Sequence, residues 1–114
     1  IATAIRIGRP QSWDLARSAQ KDSNGYFLAF SDEDILAAQK QVATQDGIFC
    51  EPASAVCLAG LQWSIDHDAI EPGSIVVCTL TGHGLKDPDT AISQSLSPYR
   101  VVADTQAVKN LILD

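Results

Sequence analysis

Residues 79–89, TLTGHGLKDPD, gather a hydroxyl, two glycines, an imidazole, an ammonium and a carboxylate directly after an apolar β-branched run. In open α/β sheets ligands bind outside the carboxyl ends of strands, so polar groups crowded at such a point mark a candidate site. Gly82 and Gly84 let the backbone approach a ligand with no Cβ in the way, and Thr81 adds a hydroxyl able to donate or accept. A lone G-x-G equally fits a tight turn leaving a strand. A second group stands in DGIFCEPASA, residues 46–55, where Glu51 and Ser54 lie at the start of a helical pattern. Exposed amides and the helix dipole suit acceptor groups there, either for simple capping or for a ligand. A third is IATAIRIG, residues 1–8, with Thr3 and Arg6 in an otherwise apolar run.

The elements that must position these groups alternate between short β-branched or aromatic runs and helical patterns. That alternation predicts an α/β fold with a largely parallel sheet. IATAIRIGRP reads as an extended segment, and Ser12 as the N-cap of a helix over 13–23 that stops at the Asn24–Gly25 pair. YFLAF, 26–30, reads as a strand. Ser31 with Asp34 three residues on is a variant capping box, opening a helix over 32–46 that Gly47 ends. Pro52 suits position N1 of a helix over 52–66, whose small and apolar residues on nearly every face predict enclosure by other protein. GSIVVCTL, 73–80, holds four consecutive apolar residues and predicts a strand at 74–80 buried on both faces. The Ser-, Asp- and Pro-rich stretch 87–98 reads as a linker, YRVVA as a strand, and Asp104 as the cap of TQAVKNLIL.

Composition excludes several classes of partner. Fourteen acidic and eight basic residues among 114 give a net charge of −6. The Lys and Arg residues are scattered singly, so no basic patch is available for nucleic acid. No apolar run approaches the ~20 residues of a membrane span, and the N-terminal residues lack a signal-peptide pattern, so a soluble, cytoplasmic chain is expected. Cys50, Cys57 and Cys78 lack zinc-ligand spacing and read as buried, reduced thiols, with no metal site. His67, in IDHDAIEPG, reads as a solvated loop residue. The chain begins at an isoleucine rather than a methionine and reads as a piece of something longer, with one core.

IATAIRIG, GIFCEPASA and LTGHGLKDPDT, in this order and at these separations, resemble the C-terminal part of the threonine synthase family. These are pyridoxal-phosphate (PLP) enzymes of the tryptophan-synthase-β-like fold, fold type II. The resemblance runs from residue 1 to about 92, and 93–114 are less diagnostic. It implies that 1–114 is one fragment of the PLP-binding catalytic region, an incomplete three-layer α/β/α piece. The Schiff-base lysine and the glycine-rich phosphate loop of the family have no counterpart in it, and Lys21, Lys40, Lys86 and Lys109 match no Schiff-base motif, so no catalytic residue is assigned.

The resemblance further implies conversion of O-phospho-L-homoserine and water to L-threonine and phosphate, by a full-length homodimer. It puts Thr81 against the pyridine nitrogen of the cofactor, with Gly82 admitting the ring and Glu51 near the ring or the Schiff base. Ala2 and Thr3 fall on the substrate side of the cleft. His83, Lys86 and Asp87 belong to the motif, where Asp87 can cap and Lys86 can pair to fix the loop. A fragment without the lysine and the phosphate loop is expected to be inactive and to lack the cofactor. A related dehydratase fragment and a non-catalytic small-molecule-binding or interaction module are the alternatives.

Overall fold

The computed structural model describes residues 1–113. Helices Trp13–Asp22 (α1), Asp32–Gln45 (α2), Pro52–Asp66 (α3), Pro88–Gln94 (α4) and Thr105–Leu113 (α5) are joined by irregular segments and turns, with 3-10 turns at Thr3–Ile5 and Gly84–Lys86. The three helices expected over 13–23, 32–46 and 52–66 are all present, within a residue of their expected ends.

Their ends form for the reasons the residue types give. The Ser31 hydroxyl accepts from the Asp34 amide at 3.2 Å while Asp34 Oδ2 accepts from the Ser31 amide at 3.2 Å, a closed capping box. Gly47, at φ 69°, takes the left-handed conformation that ends α2 without a Cβ penalty. Pro52 occupies the first turn of α3 behind Glu51, which is extended at φ −72° and ψ 158°. Asp104 caps α5 through the Ala107 amide at 2.9 Å. Ser12, by contrast, makes no side-chain cap. Ser31→Ala is expected to cost about 1 kcal/mol of α2 stability, seen as faster hydrogen exchange of the Asp34 amide. Unchanged exchange there would show that the box contributes nothing.

The main contact between elements is α2 against α3. Ile35 and Val42 of α2, Ala55 of α3, Cys50 and Ala2 form the core, with Phe30, Ala38, Leu58 and Leu80 packed around it. Gln39 is buried on the same face of α2, where its Nε2 donates to the Cys50 carbonyl at 2.7 Å. That bond ties α2 to the chain just ahead of Glu51.

The expected sheet is not found: no strand occurs among the described residues, and segments 26–30 and 74–80 lie outside any helix and pair with no other segment. Ile75 is 97% and Val77 86% exposed, the reverse of a strand buried on both faces. A strand is completed by ladder bonds to a neighbour, and none of the described segments lies alongside to supply them. The radius of gyration, 18.9 Å, well exceeds the roughly 13 Å of a compact chain of this length. Three smaller expectations also differ. Ala2 turns left-handed (φ 54°, ψ 49°) and starts the first 3-10 turn where an extended run was expected. YRVVA forms no strand and ends in a bend at Ala103. The stretch read as a linker contains α4, started by Asp87 as cap and Pro88 in its first turn.

Candidate functional site

The first turn of α3 and the loop that follows segment 74–80 meet through backbone bonds. Cys50 and His83 form an antiparallel bridge. Around it the Glu51 amide donates to the Gly82 carbonyl at 2.9 Å, and the Gly84 amide donates to the Phe49 carbonyl at 3.0 Å. This short pairing brings the EPASA and LTGHG stretches together.

Side chains complete the join. The Gly82 amide donates to Ser54 Oγ at 2.7 Å, and Ser54 Oγ lies 3.0 Å from Thr81 Oγ1. Ser54 is 2% exposed, whereas Thr81 is exposed and has no other side-chain partner among the described residues. Buried hydroxyls need partners, and Ser54 finds its own across the loop rather than at a helix cap. Its role was missed in the sequence. The available signal was a lone hydroxyl in the small, apolar first turns of a helix that the sequence already predicts to be enclosed.

Glu51 is 7% exposed, and its carboxylate lies so close over Gly82 that a Cβ on Gly82 would overlap it. Gly84 is buried in the same manner under Phe49, whose ring meets the His83 ring edge-to-face with centroids 5.6 Å apart. Both glycines are thus needed for close approach, by side chains of this chain. His83 Nδ1 accepts from the Leu85 amide at 3.2 Å, and Asp87 Oδ1 accepts from the Thr90 amide at 3.2 Å. These bonds fix the loop, with Asp87 capping as expected; Lys86 makes no salt bridge among the described residues. Ala2, 4% exposed, sits in the core cluster with Cys50 and Ala55, while Thr3 is exposed.

The thiols have no evident chemical task. Burial pushes the Cys50 thiol above its ordinary pKa. Burial and then the neighbouring Cys78 do the same to Cys57; of the three cysteines expected to be buried only Cys50 is, while Cys57 and Cys78 are half-buried. No group of three or more His, Cys, Asp or Glu suited to a metal ion occurs among the described residues. His67 is exposed, yet it stacks on Trp63 at 4.1 Å rather than standing free in solvent. A groove of about 380 Å³ between α2 and α3, lined by Phe30, Ala38, Leu58 and Trp63 among others, lies apart from Thr81 and Glu51. It holds none of the polar groups gathered at the loop.

The chain belongs to the family described as pyridoxal-phosphate dependent enzyme, which it matches over residues 1–82. Within that class its similarity is to threonine synthases. That of Mycobacterium tuberculosis (strain CDC 1551 / Oshkosh) is 56% identical over 108 residues, covering 95% of this chain and 30% of the relative. That of Halalkalibacterium halodurans is 50% identical over 108 residues, covering 94% and 30% respectively. The threonine synthase of Methanocaldococcus jannaschii is 46% identical over 112 residues, covering 98% and 28%. The chain therefore spans about 30% of the length of the curated relatives it matches. No described helix is long and apolar enough to cross a membrane.

Proposed function

We propose that this chain forms the ring-nitrogen side of the cofactor cleft in a threonine synthase that converts O-phospho-L-homoserine and water to L-threonine and phosphate. The observation that carries the reading is Thr81, an exposed residue whose hydroxyl is held by buried Ser54 at the first turn of α3, with the buried Glu51 carboxylate folded over the adjacent Gly82. The donor set fits pyridoxal phosphate: the Thr81 hydroxyl has one side-chain partner among the described residues and keeps hydrogen-bonding capacity for a pyridine nitrogen, which needs a single partner. When bound, the cofactor supplies the electron sink for γ-phosphate elimination and β-addition of water.

Thr81 would hold the ring nitrogen by its hydroxyl, which can donate to an unprotonated ring, whereas a carboxylate in its place would stabilise the protonated form. Glu51 offers an acceptor beside it. Gly82 keeps the backbone low between them. Thr3 faces the substrate side, and Ala2 orients it from the core. His83 and Asp87 hold the loop in shape. In this reading segments 26–30 and 74–80 pair with the remainder of the full-length protein to complete a three-layer α/β/α fold, which covers Ile75 and Val77. The full-length protein is a cytoplasmic homodimer.

The test is phosphate and threonine release from O-phosphohomoserine by the full-length protein reconstituted with cofactor. Deamination of threonine or serine without phosphate release would instead make it a dehydratase, and failure to take up cofactor would leave a non-catalytic module. Residues 1–114 alone are expected neither to bind the cofactor tightly nor to make threonine. A visible absorption titration, followed by borohydride reduction and peptide mapping, checks this. Stoichiometric labelling of one of Lys21, Lys40, Lys86 or Lys109 would overturn it.

A further inference from the structure

We propose that Ser54 is a positioning residue that fixes the Thr81 hydroxyl as a hydrogen-bond donor, and so makes the site selective for a heteroaromatic ring whose nitrogen is an unprotonated acceptor. The inference rests on the reading that Thr81 meets the ring.

The direction follows from the bonds around one oxygen. A backbone amide can only donate, so the 2.7 Å contact from the Gly82 amide makes Ser54 Oγ an acceptor there. Ser54 then has one proton of its own and two places to put it. The Gly82 carbonyl lies 3.4 Å away, beyond the usual 2.5–3.0 Å of an O–H···O bond, and already accepts the Glu51 amide at 2.9 Å. Thr81 Oγ1 lies at 3.0 Å, within that range. The proton therefore goes to Thr81, whose own proton is left without a partner among the described residues and points out of the network. Bonds arranged head to tail in this way polarise one another, which strengthens the last donor. The reverse order would need the long contact to Gly82, and the Gly82 amide cannot be turned round.

A ring carrying C–H at that point gives Thr81 no acceptor, and one carrying N–H could be met only by the second lone pair of Thr81 Oγ1, with the Thr81 proton left unused. The comparison that isolates the effect pairs pyridoxal phosphate with its 1-deaza analogue, in which C–H replaces the ring nitrogen. Both are bound to the full-length protein, to its Ser54→Ala variant and to its Thr81→Val variant, and dissociation constants are read by absorbance. The wild type is expected to prefer the natural cofactor by about tenfold, as one directed hydrogen bond allows. Ser54→Ala is expected to bring that preference down to about threefold or less, because Thr81 can then rotate. Equal weakening of both ligands by Ser54→Ala would mean a merely structural role and would overturn the proposal. A second measurement needs no variant: the ¹⁵N resonance of labelled cofactor in the wild type is expected in the unprotonated range from pH 6 to 9. A protonated ring nitrogen there would also overturn it. If Thr81→Val keeps the full preference for the natural cofactor, the underlying assignment of Thr81 to the ring fails instead.

Discussion

Gly84→Ala is expected to destabilise the full-length protein by ~1–3 kcal/mol and to separate the 82–86 loop from the start of α3. A Cβ at this buried position would overlap the outer edge of the Phe49 ring, which also meets the His83 ring edge-to-face. The Gly84 amide also donates to the Phe49 carbonyl at 3.0 Å, so backing away from the clash breaks a bond of the bridge. Urea denaturation gives the stability change, and hydrogen exchange at Glu51 and Gly84 reports whether the bridge has opened. Steric overlap as the cause makes a further demand: Phe49→Ala creates room, so the double variant must lose less than the sum of the two single losses. Additive losses would assign the effect to something other than this contact. Gly82→Ala is the milder case, because its Cβ meets the Glu51 carboxylate, the end of a side chain that can swing aside.

What the sequence made legible was whatever is decided within a few residues. Ser31 with Asp34, Gly47, Pro52 and Asp104 each settle a helix end by local bonding or by a φ preference, and each appears where its residue type placed it. Asp87 and Pro88 carried the same kind of signal for α4, which the Ser-rich composition of 87–98 obscured. Segments 26–30 and 74–80 are different in kind. Their β-branched and aromatic residues favour an extended backbone, but a ladder depends on a second segment that no local pattern contains. The site was divided along the same line. Thr81, Glu51 and Gly82 were named from their motifs, and the structure brings them together through the Cys50–His83 bridge. Ser54 was left between capping and a ligand because its partner is 27 residues away in sequence, across a contact that only the folded chain makes.

The ring-nitrogen contact itself is best tested by three substitutions of Thr81 in the full-length protein. Thr81→Ser keeps the hydroxyl 3.0 Å from Ser54 Oγ and is expected to retain much of the activity. Thr81→Val keeps the shape and removes both bonds the hydroxyl makes, the one to Ser54 and the proposed one to the ring. Losing a hydrogen bond to the ring costs ~1–3 kcal/mol, or roughly tenfold to a hundredfold in turnover where the bond matters in the transition state. Thr81→Asp is expected to favour a protonated ring, a stronger electron sink, and with it side reactions such as transamination over threonine formation. It also sets a carboxylate against Ser54 Oγ, whose proton then has a charged acceptor and no longer relays to the ring. The measurement is kcat with O-phosphohomoserine beside cofactor occupancy for all three variants. Wild-type turnover by Thr81→Val at full occupancy would remove Thr81 from the chemistry, and its hydroxyl would be left as the partner that satisfies buried Ser54.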